Sequence, residues 1–159
     1  MPSLRPATPD DADTLAVLER AATTTALVHV FGTERPYPID DIRARWAIVL
    51  DDADVTTLLA YDGDEPVGYA AFDSVELRHF GVHPDRFGTG VADVLHTEVV
   101  RRMAAAGVET VRLWVLAENR RARRFYERNG WEPDGRTGES EFPPHPTQLG
   151  YAYQPPPCP

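Results

Sequence analysis

Across residues 75–103, the spacing of apolar residues changes from strand-like to helix-like on either side of a short glycine turn. Residues 75–82 form an apolar-rich run typical of a strand, and residues 83–87 are expected to form a loop. After Gly88-Thr89-Gly90, apolar residues recur at three- and four-residue steps, the period of one face of an amphipathic helix. These apolar positions are Val91, Val94, Leu95, Val99 and Met103. The pattern predicts a strand, a glycine turn and a helix in succession.

The same two periodicities predict the remaining elements of the chain. The predicted strands are residues 3–7, 55–61, 67–72, 75–82, 111–116 and 148–154. The predicted helices are residues 11–23 and 41–50, the helix that starts at Val91, and a last helix from Asn119 to about Arg128. We expect residues 26–38 to be irregular and residues 135–146, rich in Gly, Pro and charge, to be a loop.

The order of these elements favours a mixed α/β (α+β) fold. The three strands between residues 55 and 82 are separated by short turns and predict an antiparallel meander. Strands and helices then alternate, so we expect a mixed sheet with helices on both of its faces.

The length of 159 residues is that of one domain. We assign residues 1–154 to this domain and expect residues 155–159 to be a disordered, Pro-rich tail. No apolar run approaches the roughly 20 residues that a membrane helix needs, and the N-terminus lacks the basic and apolar segments of a signal peptide. Because the only cysteine is Cys158, no intrachain disulfide can form, which fits a cytoplasmic protein.

The net charge of −9 argues against nucleic acid as the main partner and weakly favours a cationic acceptor such as an amine. The alternative is that the acidic residues only keep the protein soluble. His79, His83 and Glu76 do not have the spacing of metal ligands, and no cysteine cluster accompanies them. We therefore expect no metal site.

A helix that opens directly after a glycine turn leaves several backbone N–H groups without acceptors. With the helix dipole, they favour a phosphate or pyrophosphate by about 0.3–1 kcal/mol per nearby anionic group. A Walker loop does not fit, because the chain contains no lysine, and a dinucleotide fingerprint would need a third glycine at Asp93. A glycine-capped helix that binds nothing is the alternative.

Two blocks of sequence together resemble motifs A and B of the GCN5-related N-acetyltransferases. The first block is residues 75–92 and the second is residues 113–131. The matching residues are Glu76, Val82, His83, Pro84, Asp85, Gly88, Gly90 and Ala92, followed by Asn119, Ala122, Phe125, Tyr126, Gly130 and Trp131. The resemblance implies a mixed, mostly antiparallel central sheet of about six to seven strands and four helices. It also implies an N-acetyltransferase whose acetyl donor is acetyl-CoA.

The resemblance further implies which residues contact the donor. The family's pyrophosphate loop usually begins with Gln or Arg; here Phe87 occupies that position and Arg86 lies one place early. The pantetheine arm is expected beside Val82, near a strand bulge at Phe80-Gly81. Asn119 is expected to contact the same arm, and Arg123 the phosphates or the adenine. The donor-binding residues implied in this way are Phe80, Val82, Phe87, Gly88, Thr89, Gly90, Val91, Ala92, Asn119 and Arg123.

Acetylation of an amine needs one group that accepts a proton and another that donates one. A primary amine with a pKa of about 10 is almost wholly protonated near neutral pH, and the ammonium has no lone pair. The resemblance implies Glu76 as general base; the alternatives are a surface role for Glu76, a water path, or His79 as base. On a regular strand His79 faces the side opposite Glu76. Tyr126 is implied as the general acid, with packing beside Phe125 as its alternative.

The resemblance places the acceptor pocket between the early helices and the late strands. Its walls are expected to include Tyr37, Trp46 and Tyr151, although each is also a common type of core residue. The favoured acceptor is a primary amine of a small molecule. A peptide or protein N-terminus and a non-catalytic CoA-binding module are the alternatives, and an acyl group larger than acetyl stays open. A homodimer is expected from the family alone.

Overall fold

The structure is a computed structural model that describes residues 1–157, so the predicted behaviour of Cys158 and Pro159 lies outside the described residues. The strands are β1 (Ser3–Pro6), β2 (Thr56–Asp62), β3 (Glu65–Phe72), β4 (Leu77–Val82), β5 (Val111–Leu116), β6 (Glu132–Glu139) and β7 (Thr147–Tyr153). The helices are α1 (Ala12–Ala26), α2 (Val28–Phe31), α3 (Ile39–Asp51), α4 (Val91–Ala105) and α5 (Arg120–Arg128). In the tail, Pro155 is buried and Pro156 and Pro157 are exposed.

The strands form two antiparallel sheets, in the orders β1-β2-β3-β4 and β5-β7-β6. The predicted meander is therefore confirmed as β2, β3 and β4. Within the described residues the two sheets meet at an isolated parallel bridge between Glu76 and Arg112. Beyond Glu76, β4 and β5 separate, and the edge of β4 that faces β5 has no strand partner in this part of the chain.

Helices cover both faces of the first sheet, as predicted. On one face, α4 and α5 cover a core that continues beneath the second sheet; its wholly buried members include Leu58, Leu95, Val99, Leu113, Trp131 and Tyr151. On the other face, α1 and α3 cover a separate core that contains Leu15, Leu18, Ile42, Trp46, Leu59, Tyr69 and Ala71. The first sheet is thus the middle layer between two helical layers, and both of its faces are apolar.

Two elements differ from the sequence-based expectation. The stretch expected to be a loop contains most of β6, which pairs with β7 on either side of an irregular segment between Pro133 and Thr137. The segment expected to be irregular contains the short helix α2. In both cases glycine and proline content gave the wrong prediction, because these residues allow a short helix and a strand with an irregular segment.

The strand bulge also lies at a different place. It was expected at Phe80-Gly81, but the register of β3 and β4 shifts at Arg78: His79 pairs with Ala71, and Leu77 pairs with Phe72. Gly81 has another reason to be glycine. It pairs with Tyr69, and a Cβ at Gly81 would collide with the hydroxyl end of the Tyr69 ring.

Candidate active site

A cavity of about 830 Å³ lies where the two sheets separate. Its walls come from the last turns of α1, from residues 80–82 of β4, from the turn before α4, and from α5. The cavity lies where β4 and β5 are not paired: among residues 1–157 the one bridge between the two sheets is at Glu76, just before β4. The unpaired edge of β4 is therefore open to a ligand along one wall.

The turn that enters α4 presents free backbone amides to this cavity. Gly88 and Gly90 have φ angles of 74° and 94°, which glycine adopts without strain, and no side chain caps the helix. Within residues 1–157, no acceptor is bonded to the N–H groups of Gly88, Gly90, Val91, Ala92 and Asp93. Thr89 differs, because both its N–H group and its hydroxyl donate to the Arg86 carbonyl, at 3.3 and 2.6 Å. The free amides stand at the positive end of the helix dipole, an arrangement that suits phosphate oxygens.

The cationic side chains beside this turn come from α5. Arg86 is held by Asp62 and Glu65, at 3.3 and 3.2 Å. Arg121 instead lies over the Phe87 ring, with its guanidinium carbon 4.2 Å from the ring centre. Arg121 and Arg124 both line the cavity, and in the described part of the chain neither forms an ion pair.

Aromatic rings narrow the cavity next to β4. Phe80 stacks on Phe125 with ring centres 5.6 Å apart, and it meets the Tyr126 ring edge-on at 6.3 Å. Tyr126 is only 7% exposed, and its hydroxyl has no hydrogen-bond partner among the described residues. Burial raises the pKa of Tyr126 above its ordinary value, so the hydroxyl keeps its proton near neutral pH.

Glu76 lies at the bridge itself, outside the lining of this cavity. Leu77 packs in the α4–α5 core, so alternation puts Glu76 on the face of α1 and α3. The bulge at Arg78 brings His79 to that same face, where its ring lies 4.9 Å from the Trp46 ring. The bulge therefore removes the parity difference expected between Glu76 and His79.

The two candidate bases have opposite pKa shifts. Burial, and then the Asp73 carboxylate, raises the pKa of Glu76, while Arg78 and Arg136 act against the rise. Burial, and then Arg45 and Arg78, lowers the pKa of His79 to about 3. A carboxylate with a raised pKa is a better proton acceptor than usual, whereas His79 is a poor one.

Arg123 of α5 and Asn119, which precedes this helix, have well-defined partners. Arg123 donates to the Tyr151 hydroxyl at 3.0 Å and to the Ala117 carbonyl at 2.9 Å, and it does not line the cavity. Tyr151 is wholly buried. Asn119 does line the cavity; its Oδ1 accepts the Ala122 N–H at 3.2 Å and caps α5. The Asn119 amide nitrogen has no protein partner among residues 1–157 and is available to a ligand.

The residues expected to form an acceptor wall are in the interior or at its margin. Trp46 is 0% exposed and packs edge-on against Tyr69. The half-buried Tyr37 hydroxyl lies 3.3 Å from Glu19, which also forms an ion pair with Arg45. In this conformation neither Trp46 nor Tyr151 offers surface to a ligand.

The structure thus brings together part of the predicted set. The predicted residues that line one cavity are Phe80, Val82, Phe87, Gly88, Gly90, Ala92, Asn119 and Tyr126. Those that do not line it are Glu76, Thr89, Val91, Arg123, Tyr37, Trp46 and Tyr151. Sequence reasoning missed Arg121 and Tyr69, which do line it. Arg121 had a weak signal, since it lies on the arginine-rich helix, but Tyr69 had none.

The free helix amides at the glycine turn and the open edge of β4 beside Val82 match the donor site that the acetyltransferase resemblance implies. The fold and the site therefore define this class of protein. The sequence model of the acetyltransferase (GNAT) family matches residues 19–131. The chain therefore belongs to the acetyltransferase (GNAT) family.

Individual acetyltransferases are also similar to this chain, in sequence or in fold. A mycothiol acetyltransferase of Beutenbergia cavernae is 31% identical over 101 residues, which are 60% of this chain. The chain spans about a third of that curated relative, 34% of its length. The PaiA N-acetyltransferase of Thermoplasma acidophilum, solved in complex with coenzyme A, has a TM-score of 0.80 at 17% identity over 97% of this chain and 99% of that chain. The ribosomal-protein-S18-alanine N-acetyltransferase of Escherichia coli has a TM-score of 0.75 at 17% identity over 100% and 97%.

Acetyltransferases of this family use acetyl-CoA as their acetyl donor. The residues present fit this donor. The free amides from Gly88 to Asp93 match a diphosphate, and the unpaired Arg121 and Arg124 match further phosphate charge. The aromatic narrowing beside Phe80 provides an apolar passage for the pantetheine arm.

Two further features of the described residues bear on the class of protein. No helix within residues 1–157 is long and apolar enough to cross a membrane. In the same range, no three His, Cys, Asp or Glu side chains are grouped so that they could hold a metal ion.

Proposed function

We propose that this chain transfers the acetyl group of acetyl-CoA to a primary amine of a small molecule, by direct attack of the amine nitrogen on the thioester. One observation carries the proposal: the free amides before α4 and the unpartnered Tyr126 hydroxyl line the same cavity. A phosphate-binding end and a proton donor are thereby held a fixed distance apart. No protein nucleophile is needed, so no covalent enzyme intermediate is expected.

The donor end of the cavity binds by charge and backbone contacts. The amides of Gly88, Gly90 and Ala92 donate to the diphosphate, and Arg121 adds a cation above Phe87. Phe87 replaces the polar residue usual at this position, and Arg121 restores the charge from the neighbouring helix. The donor supplies an activated thioester carbonyl and a thiolate leaving group.

The edge of β4 fixes the direction of the pantetheine arm. Because no strand among residues 1–157 pairs with β4 beyond Glu76 on this side, backbone groups of residues 80–82 are free to bond amides of the arm. The Asn119 amide approaches from the opposite wall. Orientation of this kind can lower a barrier by several kcal/mol, about 7–11 in the most favourable intramolecular cases.

Tyr126 donates the proton that the leaving thiolate needs. Its buried hydroxyl stays protonated, and no group among the described residues competes for that proton. Such general acid help is typically worth about 10²–10⁴-fold in rate.

Glu76 accepts the proton that the amine must lose, through an intervening water. Its raised pKa and its place on the α1–α3 face, where β4 leaves β5, support this role. His79 lies on the same face, but its lowered pKa and its packing against Trp46 make it the weaker candidate.

The name of the curated relative, a mycothiol acetyltransferase, supports a small-molecule acceptor. A peptide N-terminus is the second candidate, because one structure of the same fold is an alanine N-acetyltransferase for a ribosomal protein. A cytoplasmic location and a homodimer stay predictions.

The proposal is tested by measuring release of free CoA thiol from acetyl-CoA with a panel of acceptors. The panel contains small primary amines, such as 1,4-diaminobutane, phenethylamine and glucosamine, and peptides with a free N-terminal alanine, serine or methionine. Amine-dependent release that Tyr126→Phe strongly reduces is the expected result. Release with peptides alone would replace the small-molecule acceptor, and tight CoA binding without release from any acceptor would make the chain a CoA sensor.

A further inference from the structure

Tyr69, a residue of β3, reaches across β4 into the cavity. Tyr69 pairs with Gly81, and the space that a Cβ would take at Gly81 is filled by the Tyr69 hydroxyl and the adjoining ring carbons. The far end of the ring therefore lies over β4, and Tyr69 lines the cavity together with Tyr126. The missing side chain of Gly81 is what permits this crossing.

The Tyr69 hydroxyl has no hydrogen-bond partner in the described part of the chain, although the side chain is only 5% exposed. A tyrosine hydroxyl that opens onto a cavity completes its hydrogen bonding there with a ligand or a bound water. Since Tyr69 borders the cavity, the missing partner belongs to the cavity.

Tyr69 and Tyr126 reach the cavity from opposite faces of the first sheet. Tyr126 packs in the α4–α5 core, while Tyr69 packs in the α1–α3 core beside Trp46. The two hydroxyls are near enough that Tyr126 contributes to the electrostatics of Tyr69. The α5 side carries the groups proposed for the donor, so the α1 side, with Tyr69, is left for the acceptor.

We propose that the Tyr69 hydroxyl is a further catalytic residue, which accepts a hydrogen bond from the attacking amine and holds its nitrogen opposite Tyr126. The proposal rests on the amine acetylation proposed above. In the step, the amine nitrogen bonds to the thioester carbon and the carbon–sulfur bond breaks. The sulfur takes the Tyr126 proton, and the proton lost by nitrogen passes to water and Glu76. Tyr69 keeps its own proton throughout.

Polar groups behind Tyr69 suit this role. Burial, and then Glu19 and Tyr37, raises the pKa of Tyr69 well above its ordinary value, so it stays a neutral hydroxyl. Glu19 lies on the same helical face as Ala22 and Thr23, which line the cavity. Its carboxylate, held by Arg45 and Tyr37, places an acidic group behind the proposed amine position.

Tyr69→Phe tests the proposal, because it keeps the ring over Gly81 and removes only the oxygen. The expected result is a fall of about tenfold or more in kcat/KM for 1,4-diaminobutane and phenethylamine, with the Kd for CoA unchanged. The matched control is Tyr61→Phe on the neighbouring strand, whose hydroxyl accepts from Arg5 at 2.6 Å and which does not line the cavity.

A second variant guards against misfolding of the first. Gly81→Ala keeps the Tyr69 hydroxyl but displaces it, because the added Cβ would collide with the Tyr69 ring. This variant should lower kcat/KM for the amine in the same way. Unchanged amine kinetics in a folded Tyr69→Phe protein would overturn the role of Tyr69, while a defect in Tyr126→Phe would still support the proposed function. Loss of CoA affinity in Tyr69→Phe would also overturn it, since the hydroxyl would then act on the donor. No amine-dependent release by the unmodified protein would overturn both.

Discussion

Arg121 lies over the Phe87 ring, with 4.2 Å between its guanidinium carbon and the ring centre. This contact joins the start of α5 to the turn before α4. Arg86, which is nearer in sequence to the polar position that Phe87 replaces, is held by Asp62 and Glu65. The cation available to a phosphate beside Phe87 therefore comes from a different element of the fold.

Arg121→Ala should weaken CoA binding about tenfold, because a hydrogen bond to a charged group contributes roughly 1.5–3 kcal/mol. Isothermal titration calorimetry with CoA gives the Kd. Arg120→Ala is the matched control, since Arg120 pairs with Glu118 at 3.3 Å and does not line the cavity. Equal losses in the two variants would show a general charge effect rather than a phosphate contact.

Gly90→Glu should abolish CoA binding, because a carboxylate at the start of α4 would repel the diphosphate and occupy its amides. The variant also forces a side chain onto a φ of 94°. Gly107→Glu, at a φ of 75° beyond the other end of α4, carries a similar backbone strain away from the cavity. Thermal unfolding with and without CoA separates the two: only Gly107→Glu should keep the ligand-induced rise in Tm. A rise of normal size in Gly90→Glu would mean that the diphosphate binds elsewhere.

Tyr126→Phe should lower kcat by about 10²-fold or more and leave the Kd for CoA nearly unchanged, because only the proton donor is removed. Since burial raises the pKa of Tyr126, the unmodified enzyme should not lose rate through this group below the ordinary tyrosine pKa. Steady-state kinetics with the best amine of the panel, from neutral to alkaline pH, measure both effects. An unaltered kcat would leave Tyr126 as a packing residue beside Phe125.

The local part of the site could be predicted from the sequence, and the part made by packing could not. The strand, turn and helix around Gly88 and Gly90 follow from apolar spacing and from two glycines, which are local signals. The last helix, predicted from Asn119 to about Arg128, is present as α5 (Arg120–Arg128). The contacts of its side chains depend on distant residues: the Arg123 guanidinium donates to the Tyr151 hydroxyl of β7 and does not line the cavity.

Contacts between neighbouring strands could not be predicted from the sequence. The crossing of Tyr69 over Gly81 depends on the register of β3 and β4, and a tyrosine on a buried strand gives no sign of it. The bulge at Arg78, which brings Glu76 and His79 to one face, likewise depends on pairing with Phe72 and Ala71. A strand sequence alone shows alternation and does not show where alternation is interrupted.

Glu76→Gln should lower kcat/KM for the amine by about 10²-fold and remove the acid limb of its pH profile, because the proton acceptor is lost. In the unmodified enzyme that limb should lie above the ordinary glutamate pKa, since burial and Asp73 raise the pKa of Glu76. Glu132→Gln, an exposed position on β6, is the control and should change neither quantity. If the limb persists in Glu76→Gln, another group accepts the proton, and the same profile in His79→Gln then tests the remaining candidate.

His79 should make the fold less stable in acid. Its pKa is about 3 in the folded protein, against about 6.5 for an ordinary histidine, so between these values the unfolded chain binds a proton that the folded chain does not. Stability from this group is therefore complete above that ordinary pKa and falls by about 1.4 kcal/mol for each pH unit within the window.

Urea unfolding of the unmodified protein, His79→Gln and His29→Gln at pH 7 and pH 5 measures the effect. The loss of unfolding free energy between the two pH values should be smaller in His79→Gln by about 2 kcal/mol. Any packing cost of Gln against Trp46 is common to both pH values and cancels. His29 is exposed, and His29→Gln is the control for replacing a histidine elsewhere in the chain. The same pH dependence in all three proteins would mean that His79 binds its proton in the folded state, and the case for Glu76 over His79 as base would lose its electrostatic support.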